Sequence, residues 1–145
     1  MVSSTMQESA LAHALARYMD ARSTAQREAR KSLGVNEMDA RALLFIGENP
    51  GLKSGELRDF LGITSAGVTT LIDRLIEREA VRREPDAHDR RVSRIHLTIN
   101  LKKAPWVALT KFDHDFVAAV AEKGEDITEK FAELLDELTV RTTES

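Results

Sequence analysis

Residues 62–98, GITSAGVTTLIDRLIEREAVRREPDAHDRRVSRIHLT, decide the fold of this 145-residue chain. The stretch opens on Gly62-Ile63-Thr64, after which Thr64 or Ser65 is suited to cap a helix running to about Arg78. Val68, Leu71, Ile72 and Leu75 recur at helical spacing and form its apolar stripe. Just upstream, Leu57, Phe60 and Leu61 make the i, i+3, i+4 face of a shorter helix that starts near Ser54 and stops at Gly62. Two short amphipathic helices joined by so tight a turn are the signature of a helix-turn-helix. Downstream, residues 81–84 and 92–97 suit short strands, with Ile95 and Leu97 alternating against Arg94 and His96. The polar turn Pro85-Asp86-Ala87-His88-Asp89 between them predicts a β-hairpin with an arginine-bearing tip.

Further helices flank this unit. Leu11, Leu15, Tyr18 and Met19 lie at helical spacing within residues 9–31. Asn36 can cap a second helix, with Asp39 three residues on and Ala40, Leu43, Leu44 and Phe45 as its buried stripe, until Asn49-Pro50-Gly51 ends it. Beyond Thr98, Trp106, Leu109, Phe112, Phe116, Val117 and Val120 recur at helical intervals, as do Ile127, Phe131, Leu134, Leu135 and Leu138 after a break near Gly124. Pro105 either starts the fifth helix at its first turn or kinks one already begun.

With its core stripe turned inward, the helix after Thr64 exposes an arc of Ala66, Thr69, Thr70, Asp73, Arg74 and Glu77. Ser65, Ala66 and Gly67 are small enough to let a duplex approach, and the positive end of the helix dipole favours phosphate there. Threonine hydroxyls can bond base edges and their methyls can touch thymine, while Arg74 is placed to meet a backbone phosphate. An ordinary amphipathic surface helix would show the same pattern. An arginine-tipped hairpin beside it favours DNA, because arginine suits the focused negative potential of a minor groove. Asp89, two residues before Arg91, can hold that guanidinium in one orientation, or can form a turn ion pair worth little.

Composition narrows the classes. With 42% hydrophobic residues, the chain has material for one core of ordinary size. The absence of cysteine excludes a disulfide frame, a thiolate metal site and a thiol switch. Without a long uncharged apolar run or a leader-like N-terminus, a cytoplasmic protein is expected. A net charge of −3 speaks against a simple nucleic-acid binder until it is divided. Residues 81–96 hold Arg82, Arg83, Arg90, Arg91 and Arg94 against Glu84, Asp86 and Asp89, which is either a solvated charged loop or a groove-seeking one. Residues 97–145 carry 6 basic and 10 acidic side chains and would repel DNA.

Gly62-Ile63-Thr64 through Val81-Arg82-Arg83, then Asp89-Arg90-Arg91 and Ile95-His96-Leu97-Thr98, resemble the MarR family of winged helix-turn-helix regulators. The Asp-x-Arg wing followed by a strand ending in Leu-Thr is the most specific part. The resemblance follows element order over residues 8–142, resting outside 36–98 on helical pattern. It implies a mainly α fold with a small β-hairpin wing: a DNA-binding core at 36–98, with dimerisation helices at 8–35 and 99–142 in the same compact domain. It further implies Arg91 as the minor-groove residue, Asp89 as its orienting partner, and residues 65–74 as the groove helix. The DNA contacts expected are Ser65, Ala66, Thr69, Thr70, Arg74, Asp89, Arg90 and Arg91. Glu79 and Leu101 stand where the family usually has glycine, and Pro105 is unusual there.

The terminal apolar stripes are too long for a small winged core to cover, so a second copy is expected to cover them. The expected protein is a cofactor-free homodimeric transcriptional regulator, a repressor on a pseudo-palindromic operator, released by a small, aromatic or anionic ligand. His13, Arg17, Met38, Arg41 and Trp106 are candidates to line the ligand cleft, or are packing and surface residues. Two alternatives stay open: a winged helix used only for protein contacts, and a metal-responsive regulator. Against the latter, consecutive helical residues such as Asp113-His114-Asp115 point about 100° apart and cannot converge on one ion. No nucleophile motif, phosphate loop or paired catalytic carboxylates are evident, so no enzyme activity is expected.

Overall fold

In a computed structural model of the chain, residues 9–145 are described. Residue 8, where the helical region is expected to begin, lies outside them. The fold is mainly helical: α1 (Ala10–Leu33), α2 (Glu37–Glu48), β1 (Leu52–Lys53), α3 (Ser54–Leu61), α4 (Ser65–Glu77), β2 (Val81–Pro85), β3 (Ser93–Leu97), a 3₁₀ turn (Trp106–Leu109), α5 (Lys111–Ala121) and α6 (Glu125–Thr143). Among the described residues no helix is long and apolar enough to cross a membrane. Contacts divide the chain into two compact units, one ending at Leu109 and the other spanning Thr110–Ser145.

In the first unit α1, α2 and α4 each start on a capping side chain, while at α3 Glu56 Oε2 accepts from Lys53 N–H at 2.8 Å. Ser9 accepts from Ala12 N–H at 3.3 Å, Asn36 from Asp39 N–H at 2.7 Å, and Thr64, rather than Ser65, from Gly67 N–H at 3.0 Å. The main core gathers Leu43 and Ile46 of α2, Leu57 and Leu61 of α3, all four stripe residues of α4, and Val81 and Ile95 of the sheet. A second cluster joins Ala29 of α1, Val35, Ala40 and Leu109, and Trp106 packs against both. Phe60 departs from expectation. It is 44% exposed, because its ring stacks flat on half-buried Phe45 at 3.8 Å between centroids instead of entering the core.

The hairpin forms with Val81 opposite Leu97 and Pro85 opposite Ser93. Pro85 is therefore a strand residue, and the tip spans residues 86–92. A third strand, β1, is too short to show in the sequence and pairs Leu52 with Ile95 on the other edge of β3. Gly51 leads into it with φ 77°, and its missing side chain makes room for the His96 ring, 3.1 Å from where a Cβ would sit. Past the sheet the expected continuous fifth helix is split. Pro105 precedes the separate 3₁₀ turn, and α5 begins only after Thr110.

The second unit consists of α5 and α6, and neither contains a buried residue. Phe116, Val117 and Val120 on α5, with Ile127, Phe131, Leu134, Leu138 and Val140 on α6, are exposed large apolar side chains.

Candidate nucleic-acid interface

The helix-turn-helix aims α4 outward along one face. Its inner stripe is buried, while Ser65, Ala66, Thr69, Thr70, Asp73 and Glu77 are exposed as the 100° spacing requires. Ser65 Oγ accepts from Arg58 Nη1 at 3.2 Å, so the first turn of α4 carries a guanidinium supplied by α3. Thr69 and Thr70 donate their hydroxyl protons to the carbonyls of Ser65 and Ala66, 3.0 Å each. With their protons so engaged, those oxygens are left with acceptor lone pairs on the exposed face.

Arg74 does not stand free for a phosphate. Its Nε and Nη2 donate to Asp39 Oδ2 and Oδ1 at 2.9 and 2.5 Å, and Asp39 is only 2% exposed. This fork-to-carboxylate bond raises the Arg74 pKa further. The carboxylate expected at the start of α2 for helix capping is thus the anchor of α4. The other acidic residue facing the wing, Asp73, pairs with Arg83 Nη1 at 2.7 Å and ties α4 to β2.

At the hairpin tip, Asp89 Oδ1 accepts from Arg91 N–H at 3.0 Å and from its Nε at 3.2 Å, while Oδ2 faces Nη2 at 3.4 Å. These bonds hold the Asp89 carboxyl below the usual carboxylate range. The Arg91 side chain is nevertheless 90% exposed, so the guanidinium is oriented and still open to a partner. Arg90 beside it is exposed. Arg94, by contrast, is a brace. It donates to Asp86 Oδ1 at 2.5 Å and to the Gly51 carbonyl at 3.0 Å, fastening the tip to the turn before β1. Asp86 also accepts from the backbone N–H of His88 and Asp89, 3.1 Å each. Arg94 first and these backbone bonds next lower its carboxyl pKa to about 2. Arg82 pairs with Glu84 at 3.3 Å. Of the five arginines in 81–96, Arg90 and Arg91 are those the tip presents outward.

The candidate cleft residues are not gathered. A small cleft of about 90 Å³ lies between α1, α2 and the 3₁₀ turn, lined by Gln26, Arg30, Glu37, Ala40, Arg41, Leu44 and Leu109. Only Arg41 of the expected five lines it, and its guanidinium also stands 5.4 Å over the Phe60 ring. Met38 and Trp106 are packing residues. His13 and Arg17 are exposed on α1, roughly 20 and 14 Å along the helix from Gln26 at 1.5 Å per residue.

A family model of the MarR family matches residues 33–92, from the end of α1 to the last residue of the wing tip. Over those residues, which hold the helix-turn-helix and most of the wing, the chain is similar to the MarR family. A search of curated protein sequences finds no match. Solved structures share the fold. S. aureus MepR bound to ethidium bromide superposes with a TM-score of 0.74 at 17% identity, covering 94% of this chain and 99% of that one. A MepR point mutant bound to an oligodeoxyribonucleotide gives 0.63 at 20% identity, covering 93% and 99%. Transcriptional regulator Tm0710 from Thermotoga maritima gives 0.63 at 20%, covering 91% and 93%.

The two residues that stand where the MarR pattern usually has glycine have structural consequences. Glu79 takes φ 56°, the left-handed conformation glycine would adopt freely, and its carbonyl accepts from Thr98 Oγ1 at 2.6 Å. Leu101 packs into the second cluster, its Cδ1 lying 2.8 Å from where a Cβ on Gly47 would be. The bracing pairs Asp39 with Arg74, Asp86 with Arg94 and Asp73 with Arg83 were missed from sequence. Each partner was visible as a charge, but nothing local joins residues 35 apart, as in the first pair.

Proposed function

We propose that this protein is a regulator of the MarR family: a homodimeric, sequence-specific binder of double-stranded DNA that acts as a repressor. The observation that carries this reading is Arg91, oriented by Asp89 yet 90% exposed, on a wing tied to the helix whose Ser65, Ala66, Thr69 and Thr70 face is open. In this reading the first half of α4 lies in the major groove and Arg91 enters the neighbouring minor groove, with Arg90 contributing charge. Two copies joined through α5, α6 and the apolar stripe of α1 place the reading heads about 10 bp apart on a pseudo-palindrome. The acidity of 97–145 then belongs to the dimer helices, away from the phosphates. Release is by a small anionic ligand at the α1–α2 cleft, supported by the two arginines, Arg30 and Arg41, that line it.

Fluorescence anisotropy on the DNA flanking its own gene tests the proposal. Binding is expected to weaken steeply with salt, and Arg91→Ala to lose roughly 10- to 100-fold in affinity with unchanged thermal stability. Absence of any protected site in a footprint would sink DNA binding and favour a protein-contact role for the wing.

A further inference from the structure

The last carbonyls of a helix lack intrahelical partners, and those at the end of α1 find theirs on α4. Gly34 turns left-handed at φ 66°, and the N–H groups of Gly34 and Val35 return to Lys31 O at 3.2 Å and Arg30 O at 3.0 Å. The carbonyls of Leu33 and Gly34 are taken by Arg78, which caps α4: Nη2 donates to Leu33 O at 2.6 Å and Nη1 to Gly34 O. The guanidinium packs over Gly34, its nearest nitrogen 3.4 Å from where a Cβ would sit, an ordinary contact distance. One turn earlier Arg74 grips Asp39 with a second two-pronged bond. Residues 74 and 78 lie on one side of α4 by their i, i+4 spacing. A planar fork on two successive carbonyls resists rotation as well as separation, which a single-point ammonium does not.

We infer that Arg78 is a positioning residue: it locks the angle of α4 against the C-terminal end of α1 and so sets the half-site spacing the dimer accepts. This rests on the DNA-binding dimer proposed above. The lever is sensitive. A 13-residue helix is about 20 Å long, so a tilt of roughly 10° moves its far end by about 3.5 Å, the rise of one base pair.

The test uses full-length protein and an operator selected from random DNA, with half-site spacing at its preferred value and one base pair shorter and longer. Wild type is expected to discriminate against the altered spacings about tenfold or more. Arg78→Ala should bind all three within roughly twofold of one another while keeping wild-type affinity for a single half-site, and Arg78→Lys should fall between. Weaker binding by Arg78→Ala at every spacing by one common factor would make Arg78 a phosphate contact and overturn the proposal. Since the chain has no cysteine, Glu28→Cys and Glu77→Cys give clean spin-label sites on α1 and α4. In spin-diluted samples the α1–α4 distance distribution should be narrow in wild type and broad in Arg78→Ala; an unchanged width overturns the clamp whatever DNA does. A wild-type chain without operator affinity overturns the DNA reading alone, since the distances still report the clamp.

Discussion

Helices α4 and α6 both carry an apolar stripe at helical spacing, but α4 buries Val68, Leu71, Ile72 and Leu75 whereas α6 leaves Ile127, Phe131, Leu134 and Leu138 exposed. The difference lies in what the chain supplies as a counter-surface. Around α4 stand α2, α3 and a three-stranded sheet, all within residues 37–97, so its stripe is covered by near neighbours. No residue of α5 or α6 reaches burial. At about 25 cal/mol per Å² of apolar surface, so many exposed large side chains are a strong drive toward association. The winged core covers its own apolar stripe, whereas the C-terminal helices leave theirs open, to be covered in the proposed reading by a second copy.

The comparison breaks most easily on α6. Phe131→Asp combined with Leu134→Asp is expected to turn a micromolar dimer into a monomer, weakening association on the order of a thousandfold or more by sedimentation equilibrium. A wild-type chain that sediments as a stable folded monomer would remove the assigned role of the stripe. Leu75→Ala opens a cavity in the winged core instead and should cost about 3 kcal/mol in urea unfolding. That loss should hold at all protein concentrations, whereas the α6 effect should depend on them. Glu79→Gly relieves a left-handed residue but loosens the unfolded chain, and a net gain of about 0.5 kcal/mol is expected from the same unfolding curves.

The smallest effect sharpens the wing. Asp86 has a folded pKa of about 2 against an ordinary 3.8, so the tip it braces gains stability above pH 3.8 and loses it as pH falls through about 2. Carboxyl NMR titration should place Asp86 near 2 in wild type and distinctly higher in Arg94→Ala, yet still below 3.8 because the backbone N–H groups of His88 and Asp89 remain bonded to it. An Asp86 that titrates normally in wild type would remove the brace.

How far the site could be read in advance varied with sequence distance. The open face of α4, the Thr64 cap and the Asp89–Arg91 pair involve residues no more than a few positions apart, and periodicity or turn chemistry exposes them. Arg74 was read as a phosphate contact because its helical position is outward on one side, yet a buried carboxylate 35 residues away claims it. Phe60 was read as core from its spacing, but a stacking partner on α2 holds it at the surface.

The same division runs through the whole molecule. Alone, the amino-acid order left open where the fifth helix begins, but it determined which segments are helical, which faces are apolar, and that a hairpin with an arginine at its tip follows the helix-turn-helix. These are consequences of 3.6- and 2-residue periods and of side chains that bond their own backbone. Tertiary structure decided which arginines are braces and which are presented, that two residues after Gly51 complete the sheet, and that α4 is bolted to the α1–α2 corner through Arg74 and Arg78. Those choices depend on which distant groups the packed core brings within hydrogen-bond reach, and a charge in a sequence carries no label for the partner that folding will give it.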